Sequence, residues 1–324
     1  MKRFKNILYV VNPDDEAACA LDRAVTLAES NQAALTVVTV IEALPASGAL
    51  RGLALTVDTF QAAMVREAEQ RLDGLAAPWL GRVEIETRVL VGTGFLEVIR
   101  EVLRNDRDLV VKCAGSEGLL GGLLGSEDMH LLRKCPCPVW LGKPNSPARY
   151  RRILAAVDVD EFHPPGELAT RAELNFRILE LAASLALAEF AELHLVHVWS
   201  AVGESAMRGS FLATPEEQIH AYVTAEERRH EQALDRLLDE GGARLGGEAL
   251  GYLKPVKHLL KGSTRDEIPA LAMRLGAELV VLGTVARTGI PGLLMGNTAE
   301  TLLHRLDCAV LALKPTGFVT PVTL

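Results

Sequence analysis

Short apolar runs alternate along this chain with longer stretches whose apolar residues recur at helical spacing. In the second half, residues 153–157 form a run of strand type. Leu174, Ile178, Leu181 and Leu185 then repeat as one apolar stripe, the mark of an amphipathic helix. Residues 193–198 predict a second strand. Residues 215–240 predict a long helix that buries Ile219, Val223, Leu234, Leu237 and Leu238. A third strand is expected at 256–260. Thr264-Arg265-Asp266-Glu267 reads as a capping box that opens a helix with Ile268, Leu271, Ala272 and Leu275 facing inward. Residues 279–282 and 309–313 complete a set of five strands, with a helix opening near Asn297 between them. The first half gives strands at 7–11, 34–41, 83–91, 109–112 and 139–142, and a helix at 58–80. Continuous apolar strands separated by helices predict a parallel sheet covered on both faces.

The two halves are copies. KNILYVVN from Lys5 matches RRILAAVD from Arg151, and ALTVVTV from Ala34 matches ELHLVHV from Glu192. DLVVKCAGSEGLLGGLLGS from Asp108 matches ELVVLGTVARTGIPGLLMGN from Glu278, and LLRKCPCPVWLGKP from Leu131 matches LLHRLDCAVLALKP from Leu302. Four matches in one order at so long a period mean tandem domains and not a solenoid. Pro144-Asn145-Ser146-Pro147 is the turn-rich linker, which sets domains at 1–144 and 150–316.

Composition narrows the function. With 324 residues, 49% hydrophobic and 23% charged, each half is large enough to bury its own core and is not a disordered segment. A formal net charge of −8 argues against nucleic acid or an anionic membrane as the main partner. No apolar run reaches the ~18 residues of a membrane span. The basic start, Met1-Lys2-Arg3-Phe4-Lys5, leads straight into a strand and lacks the form of a signal peptide, so a cytoplasmic location is expected. Five cysteines without an export signal are expected as free thiols, and Cys135-Pro136-Cys137, Cys113 and Cys308 read as core residues.

The richest chemistry lies in LVVLGTVARTGIPGLLMGNTAE, from Leu279 to Glu300. A strand stops at Leu282-Gly283, a loop carries Ala286 and Arg287, and Gly296-Asn297-Thr298 opens a helix. Strand, glycine loop and helix start together suit a phosphate: glycine lets a ligand approach the backbone, and the first helical turn offers free N–H groups at the positive dipole end. The plain alternative is that Gly283 merely ends a strand while Asn297 and Glu300 cap a helix. In a parallel sheet, ligands sit beyond the carboxyl ends of the strands. Asp158, Val198 and Gly283 would then share one rim, and Ala156 is a further candidate binding residue. Asp158 either faces the ligand or caps the following turn. Arg287 either reaches a phosphate or is solvated.

These segments resemble the universal stress proteins, in the two-domain E-type form. The resemblance covers nearly the whole chain and is most specific in HLLRKCPCPVW (from His130), VVLGTVARTG (from Val280) and LLMGNTAE (from Leu293). It implies a five-stranded parallel α/β sandwich for each domain, of the adenine nucleotide alpha-hydrolase-like, Rossmann-like class. Nucleotide-binding members carry a glycine, two residues, a glycine, nine residues, then glycine and Ser or Thr. Gly283 and Gly296 fit; Ala286 replaces the middle glycine and Asn297 the Ser or Thr, with Thr298 next. By the same resemblance Asp158 lies near the adenosine and the Val198 backbone meets adenine. The implied ligand is ATP, with Mg2+ as its companion, or another phosphorylated small molecule. In the first domain Asn12 replaces Asp158 and Lys112-Cys113 replaces Leu282-Gly283, so that domain is expected to have lost nucleotide binding. The two domains are expected to pack as an internal pseudo-dimer, and a homodimer is a further expectation.

Other motifs carry less. His194 and His197 on one strand point to opposite faces and cannot share a metal. His220 and His230 fall on a polar helix and are expected in solvent. The leading expectation is therefore a nucleotide-binding stress protein without dedicated catalysis. The alternative is a scaffold or a binder of a non-nucleotide, lipid-like molecule. A slow ATP hydrolase ranks last, because no base with a metal-binding carboxylate set is evident.

Overall fold

A computed structural model describes residues 4–12, 20–45, 56–114, 125–144, 146–147, 149–209, 214–246, 248–284 and 295–324. The first half runs β1 (Asn6–Val11), α1 (Leu21–Asn31), β2 (Ala34–Ile41), α2 (Val57–Ala76), β3 (Ile85–Val91), α3 (Gly94–Arg104), β4 (Leu109–Cys113), α4 (Ser126–Lys134) and β5 (Val139–Gly142). The second half runs β6 (Arg152–Ala156), α5 (Pro165–Glu189), β7 (Glu192–Trp199), α6 (Glu204–Arg208), α7 (Glu216–Arg244), α8 (Glu248–Leu253), β8 (Val256–Lys261), α9 (Thr264–Leu275), β9 (Leu279–Gly283), α10 (Asn297–Arg305) and β10 (Ala309–Leu313). The ten strands expected from the apolar runs are all present, with ends shifted by at most two residues.

The strands form one ten-stranded sheet in the order β3-β2-β1-β4-β5-β10-β9-β6-β7-β8. Every pairing is parallel except β5 with β10, which is antiparallel, Trp140 lying opposite Leu311. Among the described residues each half thus contributes five parallel strands. Its strand order reverses beside its first strand: β1 lies between β2 and β4, and β6 between β7 and β9. Such a reversal opens a crevice at the carboxyl ends of the strands.

Side chains alternate across the sheet with period two. Ile153, Ala155, Leu279, Val281 and Leu311 pack on one face with α5. Leu154, Ala156, Val280, Leu282 and Val310 pack on the other with α9 and α10. Among the described residues no helix is long and apolar enough to cross a membrane.

Three local differences from the sequence expectation have simple causes. Helix α2 stops at Ala76 and gives way to a 3-10 turn over Ala77–Trp79, because Pro78 has no N–H to continue the ladder. Helix α7 runs on to Arg244 through Gly241. A Cβ at Gly241 would lie 2.5 Å from Leu179 Cδ2, so the missing side chain is what lets α5 approach. Helix α9 has Ser263 in the N-cap position, so Thr264 is already helical and the expected capping box from Thr264 does not form.

The halves are tied by charge as well as by the β5–β10 pair. Lys143, just after β5, donates to the Leu306 carbonyl at 3.4 Å, at the C-terminus of α10. Lys314, its counterpart after β10, donates to the Leu132 carbonyl in α4. Each half therefore supplies a lysine amine as donor to a carbonyl at the C-terminal end of the other's helix, where the last carbonyls lack helical partners. Arg133 of α4 pairs with Glu300 of α10, and Arg23 of α1 pairs with Glu189 of α5. The Arg23 guanidinium also sits 4.0 Å from the centroid of the Tyr150 ring.

The cysteines divide. Cys135, Cys137 and Cys308 are free, and burial pushes the Cys308 thiol up to about 12, which keeps it protonated. Cys113 is disulfide-bonded, a correction to the expectation of free thiols throughout.

Candidate functional site

At the carboxyl ends of β6 and β9 lies a cavity of about 190 Å³. Ala156 and Asp158 reach it from β6, Leu282, Gly283 and Thr284 from β9, and Gly296 and Thr298 from the start of α10. Its remaining walls are apolar, with Leu174 and Ile178 of α5, Ile268 of α9 and Leu302 of α10. Gly283 has a steric task here. A Cβ at this position would come 2.6 Å from Leu174 Cδ2.

The N-cap of α10 is Gly296, and no side chain caps it. Asn297 is the first helical residue and is exposed, so it does not serve as the cap. The Gly296 N–H donates to the Thr284 carbonyl at 3.2 Å, which fixes the start of α10 against the end of β9. Thr284 is buried, and its hydroxyl accepts from Lys314 Nζ at 2.6 Å. The seam between the halves thereby touches the cavity. The position of Thr284 after Gly283 was visible in the sequence, but nothing there showed its link to Lys314.

Asp158 is held at its backbone by Asn175, which is buried on α5. Asn175 Oδ1 accepts the Asp158 N–H at 3.1 Å, and Asn175 Nδ2 donates to the Asp158 carbonyl at 2.7 Å. The carboxylate receives Arg171 Nη1 at 2.8 Å and lies 3.2 Å from His163 Nε2. It also accepts the Asp160 N–H at 3.2 Å, the Asx bond that was the alternative reading of this residue. Asp158 thus lines the cavity and caps the turn at once. Arg171 and Asn175 lie on the polar side of a helical stripe, where apolar spacing gives no signal.

A second cavity, of about 420 Å³, adjoins the first between α5 and α7. Asp158, Arg171 and Asn175 line both, so the Asp158–Arg171 pair is the partition. Phe176, Leu168 and Leu237 supply its apolar wall, Arg236 and Glu240 its rim.

Of the residues expected from sequence, the structure gathers Ala156, Asp158, Leu282, Gly283, Gly296 and Thr298 around one hollow. Val198 is not among its lining residues; its side chain packs against the core on the α9 side of the sheet. Ala286 and Arg287 lie outside the described residues.

A histidine pair runs beneath the rim. His230 is buried, which corrects the expectation of a solvated residue. Arg229 Nη2 lies 3.3 Å from His230 Nε2 and only donates, so that nitrogen accepts. His230 Nδ1 then carries the proton and donates to His197 Nε2 at 3.0 Å. His197 Nδ1 in turn donates to the Val157 carbonyl at 3.3 Å, beside Asp158. A longer 3.5 Å approach of the Val159 N–H to the same nitrogen is the weaker contact. Both rings are neutral in this arrangement, and burial lowers both pKa values.

The first-half rim is different chemistry on the same frame. Asn12 stands in place of Asp158 and donates to the Cys113 carbonyl at 3.1 Å. Lys112, in the place of Leu282, forms a buried ion pair with Asp128 at 2.5 Å.

The model of the universal stress protein family matches this chain twice, over residues 3–143 and 149–314. A universal stress protein E homolog from Haemophilus influenzae is 32% identical over 323 residues, spanning 97% of this chain and 98% of that protein. Universal stress protein E from Escherichia coli K12 is 33% identical over 231 residues, 71% of this chain and 68% of that protein. A functionally unknown protein from Pseudomonas aeruginosa PAO1 has a solved structure that aligns over 96% of this chain and 93% of its own, with a TM-score of 0.66 and 27% identity. A universal stress protein from Archaeoglobus fulgidus shares the fold at a TM-score of 0.63 and 19% identity, over 95% of this chain and 98% of its own. Repeat, topology and both family matches agree: this chain belongs to the universal stress protein family and is a tandem of two of its domains.

Proposed function

We propose that the second-half rim binds ATP or a related nucleotide, and that the protein acts through the balance of its bound and free forms, without dedicated catalysis. One observation carries this reading. Helix α10 opens at an uncapped glycine whose neighbours Thr298 and Gly283 line a hollow at the sheet's switch point. Phosphate oxygens would take the first-turn N–H groups of α10. Asp158 would accept a ribose hydroxyl once Arg171 turns toward the phosphates. Turning Arg171 also joins the 190 Å³ hollow to its 420 Å³ neighbour, and the neighbour alone lies within the ~300–1,000 Å³ usual for small-molecule sites. The base would occupy that larger space. Among the described residues no group of His, Cys, Asp or Glu is arranged to hold a metal, so Mg2+ enters this reading only with a bound triphosphate.

Calorimetry with ATP, ADP and AMP tests the reading. Wild type should bind at least one of them, and Gly283→Val should bind none, because the new side chain drives Leu174 into the hollow. Absence of binding to wild type at millimolar nucleotide would overturn it. The apolar walls, Leu174, Ile178, Ile268 and Leu302, favour a second reading, a ligand with an apolar body and no phosphate. Mass spectrometry of molecules that co-purify with the native protein separates the two.

A further inference from the structure

The first-half rim holds a cavity of about 500 Å³, larger than either second-half hollow and unused by the function proposed above. It lies at the carboxyl ends of β1, β2 and β4, where open α/β sheets take ligands. Val10, Val40, Phe95, Val98 and Leu131 give it an apolar floor. The starts of two helices, α3 and α4, converge on it through Gly94, Phe95 and Glu127.

Aligned by sequence, the two copies of the repeat differ in charge at their helix starts. Glu127 stands where the second half has Thr298, Asp128 where it has Ala299, and Phe95 where it has Arg265. Lys112 replaces Leu282, but its charge is already matched by Asp128; both are buried, at 8% and 1% exposure. The positive end of α3 is occupied as well. Thr93, its N-cap, makes no capping bond, and Glu127 Oε2 instead accepts the Phe95 N–H at 2.6 Å. Lys112 and the start of α3 are therefore taken by the chain's own carboxylates, and the first turn of α4, which opens at Gly125 with no side-chain cap, carries Glu127 and Asp128, whose charge disfavours a phosphate there. Among the described residues at the cavity wall, Glu127 and Glu42 are the carboxylates that no lysine or arginine pairs with.

From this we infer that the first-half rim is a binding site for a small organic cation, an ammonium group on an apolar body. The ammonium donates to Glu127 and Glu42, and the body lies over Val40, Val98 and Leu131. The chain then carries two ligand sites of opposite preference, one for anions and one for amines. The frame is shared; the residues at three helix-start positions decide the sign. Failure of the nucleotide reading would leave this site unaffected, because no residue is common to the two cavities.

The test uses the full chain, with 2-phenylethylammonium as probe, its neutral analogue 2-phenylethanol, and inorganic phosphate. Titration calorimetry should show the ammonium binding at least about tenfold more tightly than the alcohol, the scale of one charge-assisted hydrogen bond. Amide shifts in the 15N spectrum should centre on Gly92 to Phe95. Glu127→Gln keeps an oxygen for the Phe95 N–H, so the fold is retained, yet affinity should fall about tenfold. Glu42→Gln, on the exposed side of the cavity, should act in the same direction. Equal binding of ammonium and alcohol, an unchanged affinity in both variants, or displacement of the ammonium by phosphate would overturn the proposal.

Discussion

Asn175 grips Asp158 by both backbone groups, accepting its N–H and donating to its carbonyl. A helix side chain thus sets where the acidic residue at the β6 rim can stand. Replacing it by alanine leaves a donor and an acceptor without partners in a largely buried place. Asn175→Ala should cost about 1–3 kcal/mol in urea unfolding. Nucleotide affinity should fall with it, because Asp158 is no longer held at the hollow.

The Arg23–Glu189 pair joins α1 of one half to α5 of the other with little exposure on either side, 8% and 11%. Glu189 also accepts the Tyr150 N–H. Removing one partner of a buried pair strands the other charge. Arg23→Met should destabilise the whole chain by about 3–5 kcal/mol, and Arg23→Met with Glu189→Gln should recover part of that. A double-mutant cycle by chemical denaturation measures the coupling; simple additivity would show the pair to be incidental.

His197 and His230 give a dependence on mild acid. Burial lowers both pKa values from the ordinary 6.5. As pH falls below about 6.5 the unfolded chain takes up protons that the folded pair refuses, so stability drops until the folded values are passed. His130, His194 and His258 are shifted in the same direction by burial and add to the slope. His197→Phe with His230→Phe should therefore flatten, without abolishing, the loss of stability between pH 7 and pH 5. Urea midpoints across that range measure it.

Lys314 acts at the alkaline side. Burial lowers its amine from 10.5 to about 7. Between those values the unfolded chain holds a proton that the folded chain has released, so this group's contribution to stability rises with pH. Relative to Lys314→Met, the wild type should gain stability from pH 7 to pH 9. A constant difference across that range would show that the amine stays charged through its bonds to the Leu132 carbonyl and Thr284.

Strands were legible because β1, β4, β6 and β9 are buried on both faces, and two-sided burial leaves an unbroken apolar run. Gly283 and Gly296 were legible because their chemistry is carried in one short stretch of sequence. Asn175, Arg171 and Thr284 were not, since each acts through a partner distant in sequence. His230 misled because neighbouring charges on α7 disguise the one turn that faces Trp199 and His197. The pairing of β5 with β10 was equally hidden: each reads as an ordinary last strand of its own half, and nothing local specifies an antiparallel partner.

That single antiparallel pairing fixes the geography of the molecule. Strands of the two halves run in opposite senses, so their carboxyl ends open at opposite poles of the sheet. One small molecule cannot span both mouths, and the contacts that join the two poles include the central β5–β10 ladder, the two lysines that flank it and the Arg133–Glu300 and Arg23–Glu189 pairs. Gene duplication here has produced a back-to-back body with two separately addressable doors.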